Sequence, residues 1–160
     1  MQTSSAGKTD SGVTLIEMLV VVALIGIMIG VSFPAFTSGI DSMRLNQATT
    51  EVVSFLNAGL DRAERRQQAV EIVISRPQNF LEMRSTDSGF YRRLELPDGI
   101  LISHILPEVI DGTETSRSFL LYPGGTVPRL GIELMNRRNV EKIVRVDPVT
   151  GVPKVEQPQP

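Results

Sequence analysis

The chain has 160 residues with 16 Lys+Arg against 18 Asp+Glu, a net charge of −2, so no global field singles out a polyanionic partner. With no cysteine and no tryptophan it excludes disulfide frameworks, thiolate metal sites and a cysteine nucleophile, and it offers little material for aromatic stacking platforms. A chain of this length builds one domain of ordinary size.

In chain order, the first segment is a short polar leader, residues 1–12, whose single lysine, Lys8, is offset by Asp10. No charged residue occurs between Met18 and Ile40, and the stretch from Met18 to Gly30 is almost purely aliphatic. Counted from Val13 to Phe33 the run is close to the ~20 residues that a helix needs to cross a bilayer. A buried core helix would show a polar face, and this segment shows none from Met18 to Val31. A cleaved secretory signal would carry a basic start and small residues at a downstream cut. Instead Glu17 stands where the apolar run begins, and a carboxylate costs ~2.5–3.5 kcal/mol at the bilayer centre, less near its edge. Such an acid calls for a partner.

Gly12-Val13-Thr14-Leu15-Ile16-Glu17 resembles the processing motif of type IV pilins and type II secretion pseudopilins. The resemblance implies that a prepilin peptidase cuts after Gly12 and methylates the new N-terminus at Val13, where the family usually has phenylalanine. It makes Glu17 the family's assembly acid. Gly26 and Pro34 fall where the family commonly has glycine and proline. The chemistry agrees with this. Cleavage creates an α-amine that is positive near neutral pH. Glu17 of one subunit facing that amine on the next would offset the cost of burying the carboxylate and fix axial register. Gly26 and Gly30 give a G-x-x-x-G spacing for close helix approach. Pro34 removes one helical hydrogen bond and is expected to kink the helix near the membrane edge.

After Gly39 a helical pattern resumes, with Leu45, Val52, Leu56, Leu60 and Ala63 forming one apolar stripe. Arg62, Arg65 and Arg66 mark its C-terminal end, where the helix dipole favours cations. One helix over 14–68 is expected, bare in its first half and amphipathic in its second. The period then changes. Strands are expected over 70–75, 80–84, 90–96, 100–105, 118–122, 131–136 and 142–146, with Pro97-Asp98-Gly99 a strong turn signal. Residues 106–117 read as the least structured stretch and 157–160 as a disordered tail. Helix first and strands afterwards predicts an α+β fold, a long N-terminal helix packed on an antiparallel β-sheet domain. The expected organisation is a leader at 1–12, a transmembrane and assembly helix at 13–36, a globular domain at 37–156 and the tail.

The later half, with Phe119-Leu120-Leu121-Tyr122-Pro123-Gly124-Gly125, two strands and a late Thr150-Gly151, resembles the H-type minor pseudopilin and FimT-like group. That resemblance implies a pilin-like fold and a single-pass anchor in a bacterial inner membrane with the C-terminal domain in the periplasm. Its implied partners are other minor and major pseudopilins, the prepilin peptidase and membrane lipid. It also raises a DNA-uptake alternative, for which Arg137, Arg138, Lys142, Arg145 and Lys154 are the candidate contacts. Glu133, Glu141, Asp147 and Glu156 interleave with them, and phosphate binding needs several cations on one face.

Catalysis finds little support. His104 is the one histidine and lies in an apolar run, and no serine sits in a nucleophile elbow. Asp87, Asp98, Glu108 and Asp111 are loop acids without EF-hand spacing, so neither a metal nor another cofactor is expected.

Overall fold

The computed structural model describes residues 13–85, 89–109 and 115–157, with side chains described outside 33–38. The leader with Gly12, the loop acids Asp87 and Asp111, and residues 158–160 of the expected tail lie outside the described residues. The chain divides into two units, the first ending at Ser38 and the second beginning at Gly39.

Helix α1 spans Leu15–Arg66. It starts behind Thr14, whose Oγ1 accepts a hydrogen bond from the Glu17 N–H at 3.3 Å while its carbonyl accepts from Glu17 and Met18. Thr14 with Glu17 is the S/T-x-x-E spacing of a capping box. The helix stops at Gln67, which adopts the left-handed conformation (φ 53°). The Gln68 N–H then returns to the Ala63 carbonyl at 3.3 Å, and the Gln67 amide donates to the Glu64 carbonyl at 2.7 Å. Together these satisfy carbonyls that the helix end leaves open. The helix assignment runs on past Pro34, which lacks the N–H for one helical hydrogen bond.

Among the described residues eight strands follow, β1 (Val70–Ser75), β2 (Phe80–Ser85), β3 (Tyr91–Glu95), β4 (Ile100–Leu106), β5 (Ser116–Leu121), β6 (Gly131–Asn136), β7 (Glu141–Val146) and β8 (Pro153–Glu156). They form two four-stranded sheets, ordered β3-β2-β1-β5 and β4-β6-β7-β8, and every pairing is antiparallel. The α+β architecture is as expected from the sequence, with two sheets where one was anticipated. β8 was also not anticipated; proline is tolerated as the first residue of an edge strand, and Pro153 holds that place.

The second half of α1 and both sheets share one core. Leu45, Ala48, Val52, Phe55, Leu56 and Ala63 meet Ile72, Ile74, Leu81 and Met83 of the first sheet and Ile100, Ile132, Leu134 and Val144 of the second. Asn79 ties the sheets together from the β1–β2 turn. Its Nδ2 donates to the Ile100 carbonyl at 2.7 Å, and its Oδ1 accepts from the Ile102 N–H at 3.0 Å. The left-handed backbone of Asn79 (φ 54°) is one that asparagine tolerates better than most residues.

Candidate processing and assembly site

The N-terminal unit presents an apolar surface on every side. Its large apolar residues from Val13 to Val31 are exposed, from 43% at Val21 to 85% at Leu15. Each such side chain left in water forgoes roughly 1.5–3 kcal/mol of burial. The span Leu15–Ser32 is long and apolar enough to cross a membrane, and none of it is buried within the protein. A Cβ placed on Gly26 or Gly30 meets nothing within 4 Å, so the glycine notch is open to a neighbouring helix or to lipid.

Glu17 lies in the first turn of α1, where an acid is favoured by the positive end of the helix dipole. Sequence reasoning assigned Glu17 only to assembly; the Thr14–Glu17 spacing was the signal for its local capping geometry. Val13 precedes the cap and is exposed, so its backbone nitrogen is placed at the chain's approach to the helix.

The five C-terminal cations do not share one surface. Lys142 alternates in phase with the buried Val144 and Val146, and its Nζ donates to the Asn46 side-chain oxygen at 2.5 Å on α1. Arg145 lies on the opposite side of β7, directly across from Lys154 of β8. Those two are engaged by Glu156 at 3.4 Å and Asp147 at 2.7 Å. Arg138 pairs with Asp41 at 3.2 Å. Arg137 packs over Gly99, where an added Cβ would lie 2.6 Å from its Nε.

Asp147 also organises its turn. The Lys154 ammonium, with the Val149 and Thr150 N–H groups, holds the Asp147 carboxyl well below the usual carboxylate range. The same pairing raises Lys154 above the ordinary lysine value. His104 stands across β4 and β6 from Glu133, with Nδ1 3.0 Å from its carboxylate, and Glu108 lies at 4.0 Å. This is a polar contact across a sheet surface. Among the described residues, no group of three or more His, Cys, Asp or Glu side chains is arranged to hold a metal.

Residues 7–33 match the family described as the Prokaryotic N-terminal methylation motif. The N-terminal segment therefore carries a prepilin-like signal of the type IV pilin kind. The motif implies processing by a prepilin peptidase and assembly with other pilin-like subunits, and it points to a structural protein. With its one apolar helix the chain is compatible with inner-membrane anchoring. No curated protein and no solved structure matches the chain.

Proposed function

We propose that this chain is an H-type minor pseudopilin, a subunit of the type II secretion pseudopilus with a structural role in moving proteins across the outer membrane. The observation that carries the reading is the methylation motif at 7–33 leading into an apolar helix with no internal partner, joined to an α+β body. In this reading the prepilin peptidase cuts after Gly12 and methylates Val13. The positive amine at Val13 of one subunit then receives Glu17 of the next, a charge pair that sets axial register. The body projects into the periplasm and meets sister subunits.

The test is co-purification of Glu17→Gln from membranes with its pilin-like partners. Cleavage at Gly12 is expected to persist while recovery of partners falls at least about tenfold, the loss expected when a buried charge pair is broken. Unchanged recovery would contradict the role of Glu17.

The FimT-like alternative, a minor type IV pilin that contacts DNA for transformation, draws on the juxtaposition of Arg145 and Lys154 across β7 and β8. Against it, both cations already have carboxylate partners and Lys142 faces α1. A salt series separates the readings. DNA binding that weakens steeply with salt and vanishes in Arg145→Ala/Lys154→Ala supports DNA uptake, and no binding at low salt supports the secretion pseudopilus.

A further inference from the structure

The body carries a second pair of complementary features, on the two flanks of α1 beside its buried stripe. At about 100° per residue, Asn57, Leu60 and Glu64 project to one side of the core-facing line and Phe55, Ala58, Arg62 and Arg66 to the other, with Asp61 outermost.

On the first flank, α1 and the turns at 124–127 and 148–152 enclose a groove of about 530 Å³. Among the described residues its lining includes the carboxylates Asp61 and Glu64, the hydroxyls of Thr126 and Thr150, and no cation. One Glu64 oxygen accepts from the Gly124 N–H at 2.9 Å, and Asp61 has only an exposed partner, Arg65, at 3.4 Å. The rim is apolar and firm. Val149 is 91% exposed and Val152 50% exposed, on a turn held by the Asp147 carboxylate.

On the second flank, the seam between α1 and β3 is basic. Arg62 stacks 3.5 Å from the Phe90 ring centroid, its Nε buried without a hydrogen-bond partner. Arg92 lies 5.9 Å from the Phe55 ring, and Arg66 is one helical turn beyond Arg62. Among the described residues none of these three arginines has a carboxylate within ion-pair distance, unlike Arg65, Arg84 and Arg93 nearby. Stacking on an aromatic ring fixes a guanidinium while leaving its outer N–H groups to bind an oxyanion.

We propose that the groove of one copy receives the arginine seam of a second copy, with Arg62 and Arg66 directed at Asp61 and Glu64. Among the described residues Glu64 has no internal cation, Asp61 has only the exposed Arg65, and Arg62 and Arg66 have no internal carboxylate, so the two flanks of one helix complement each other between molecules. Such a contact is heterologous, joining one flank of a copy to the opposite flank of the next, unlike the isologous contact of a two-fold dimer. The proposal rests on the pilin-like assembly reading and specifies which surfaces of the body meet. Anchoring in one membrane raises the effective concentration of copies, so a modest interface suffices.

The absence of native cysteine makes cross-linking unambiguous. Full-length Thr126→Cys and Arg66→Cys variants, co-expressed and oxidised in membranes, are expected to give the mixed disulfide in preference to either homodimer. Adding Arg62→Glu to the Arg66→Cys copy is expected to reduce the mixed product at least about tenfold through like-charge juxtaposition. Glu64→Arg in the Thr126→Cys copy is expected to restore it. Leu19→Cys, in the apolar run, reports assembly independently of the flanks. Leu19 cross-links without the mixed disulfide would overturn the flank contact and leave the assembly reading standing. Loss of both would overturn the two together, and a mixed disulfide indifferent to charge reversal would overturn the role of the arginines.

Discussion

The first and second halves of α1 share the same helical hydrogen bonding and differ in what their apolar side chains meet. From Leu45 to Ala63 a stripe of apolar residues is buried against two sheets, flanked by the partly buried Val53, Ala58 and Leu60, and the outer face is polar. From Leu15 to Val31 large apolar residues point in every direction and stay exposed. Burial in the second half is supplied by the chain itself. In the first half it has to come from lipid or from other subunits, and the processing motif sits at the start of that half. The difference separates what makes the body fold from what makes the protein assemble.

A charge in each half would break the comparison most sharply. Leu24→Arg places a guanidinium deep in the apolar run, at a cost of ~2.5–3.5 kcal/mol. Membrane partitioning is expected to fall about 100-fold, while thermal unfolding of the body in detergent stays unchanged. Truncation in the second half has the reverse signature. Leu56, fully buried, is expected to lose about 2–5 kcal/mol on Leu56→Ala, read as a lower unfolding midpoint with membrane association intact.

Smaller effects sharpen the contrast. Asn79→Ala leaves the Ile100 carbonyl and the Ile102 N–H without their partner, a loss of about 1–3 kcal/mol in denaturant unfolding. Gly59→Ala sets a Cβ 3.3 Å from the Cδ1 of the fully buried Ile72. That crowding is opposed by the gain of about 1 kcal/mol that alanine brings to a helix interior, so the body's stability is expected to change by less than about 1 kcal/mol. Gly26→Ala, with open space around it, is expected to leave the body's unfolding midpoint where it was.

The smallest effect is on pH dependence. The Asp147 carboxyl is depressed in the folded protein, so the unfolded chain takes up its proton first as pH falls. Its contribution is present above the ordinary aspartate pKa of about 3.9 and is lost progressively below it. Asp147→Asn is expected to flatten the acid limb of a stability–pH curve below about pH 4, without moving the neutral plateau's shape.

Much of this contrast was legible before any coordinates. The apolar run, Glu17 after Gly12, and the stripe Leu45–Val52–Leu56–Ala63 all follow from local composition and helical period, which α1 obeys. Seven strands were readable because each is short, β-branched or alternating, and bounded by turn residues. The pairing was not readable. β1 joins β5 across 41 residues, Ser75 to Ser116, and β4 joins β6 in the other sheet. Such choices depend on how the faces meet around α1. β8 is not legible in the sequence because it is four residues long and opens on Pro153, which an edge strand accommodates at its first position. The cations at 137–154 looked like one basic group in sequence. Alternation along β7 sends Lys142 and Arg145 to opposite faces, and cross-strand register supplies Glu156 as a partner for Arg145. Phe55 and Ala48 complete the helix stripe beside the leucines and valine that carry its period.

The most direct test of the account is the N-terminal mass and sequence of the protein recovered from membranes of cells that contain a prepilin peptidase. The account predicts a mature chain beginning at a methylated Val13, and a full-length chain when Gly12 is replaced by valine. An intact leader in the presence of active peptidase, or an N-terminus downstream of the apolar run, would contradict it.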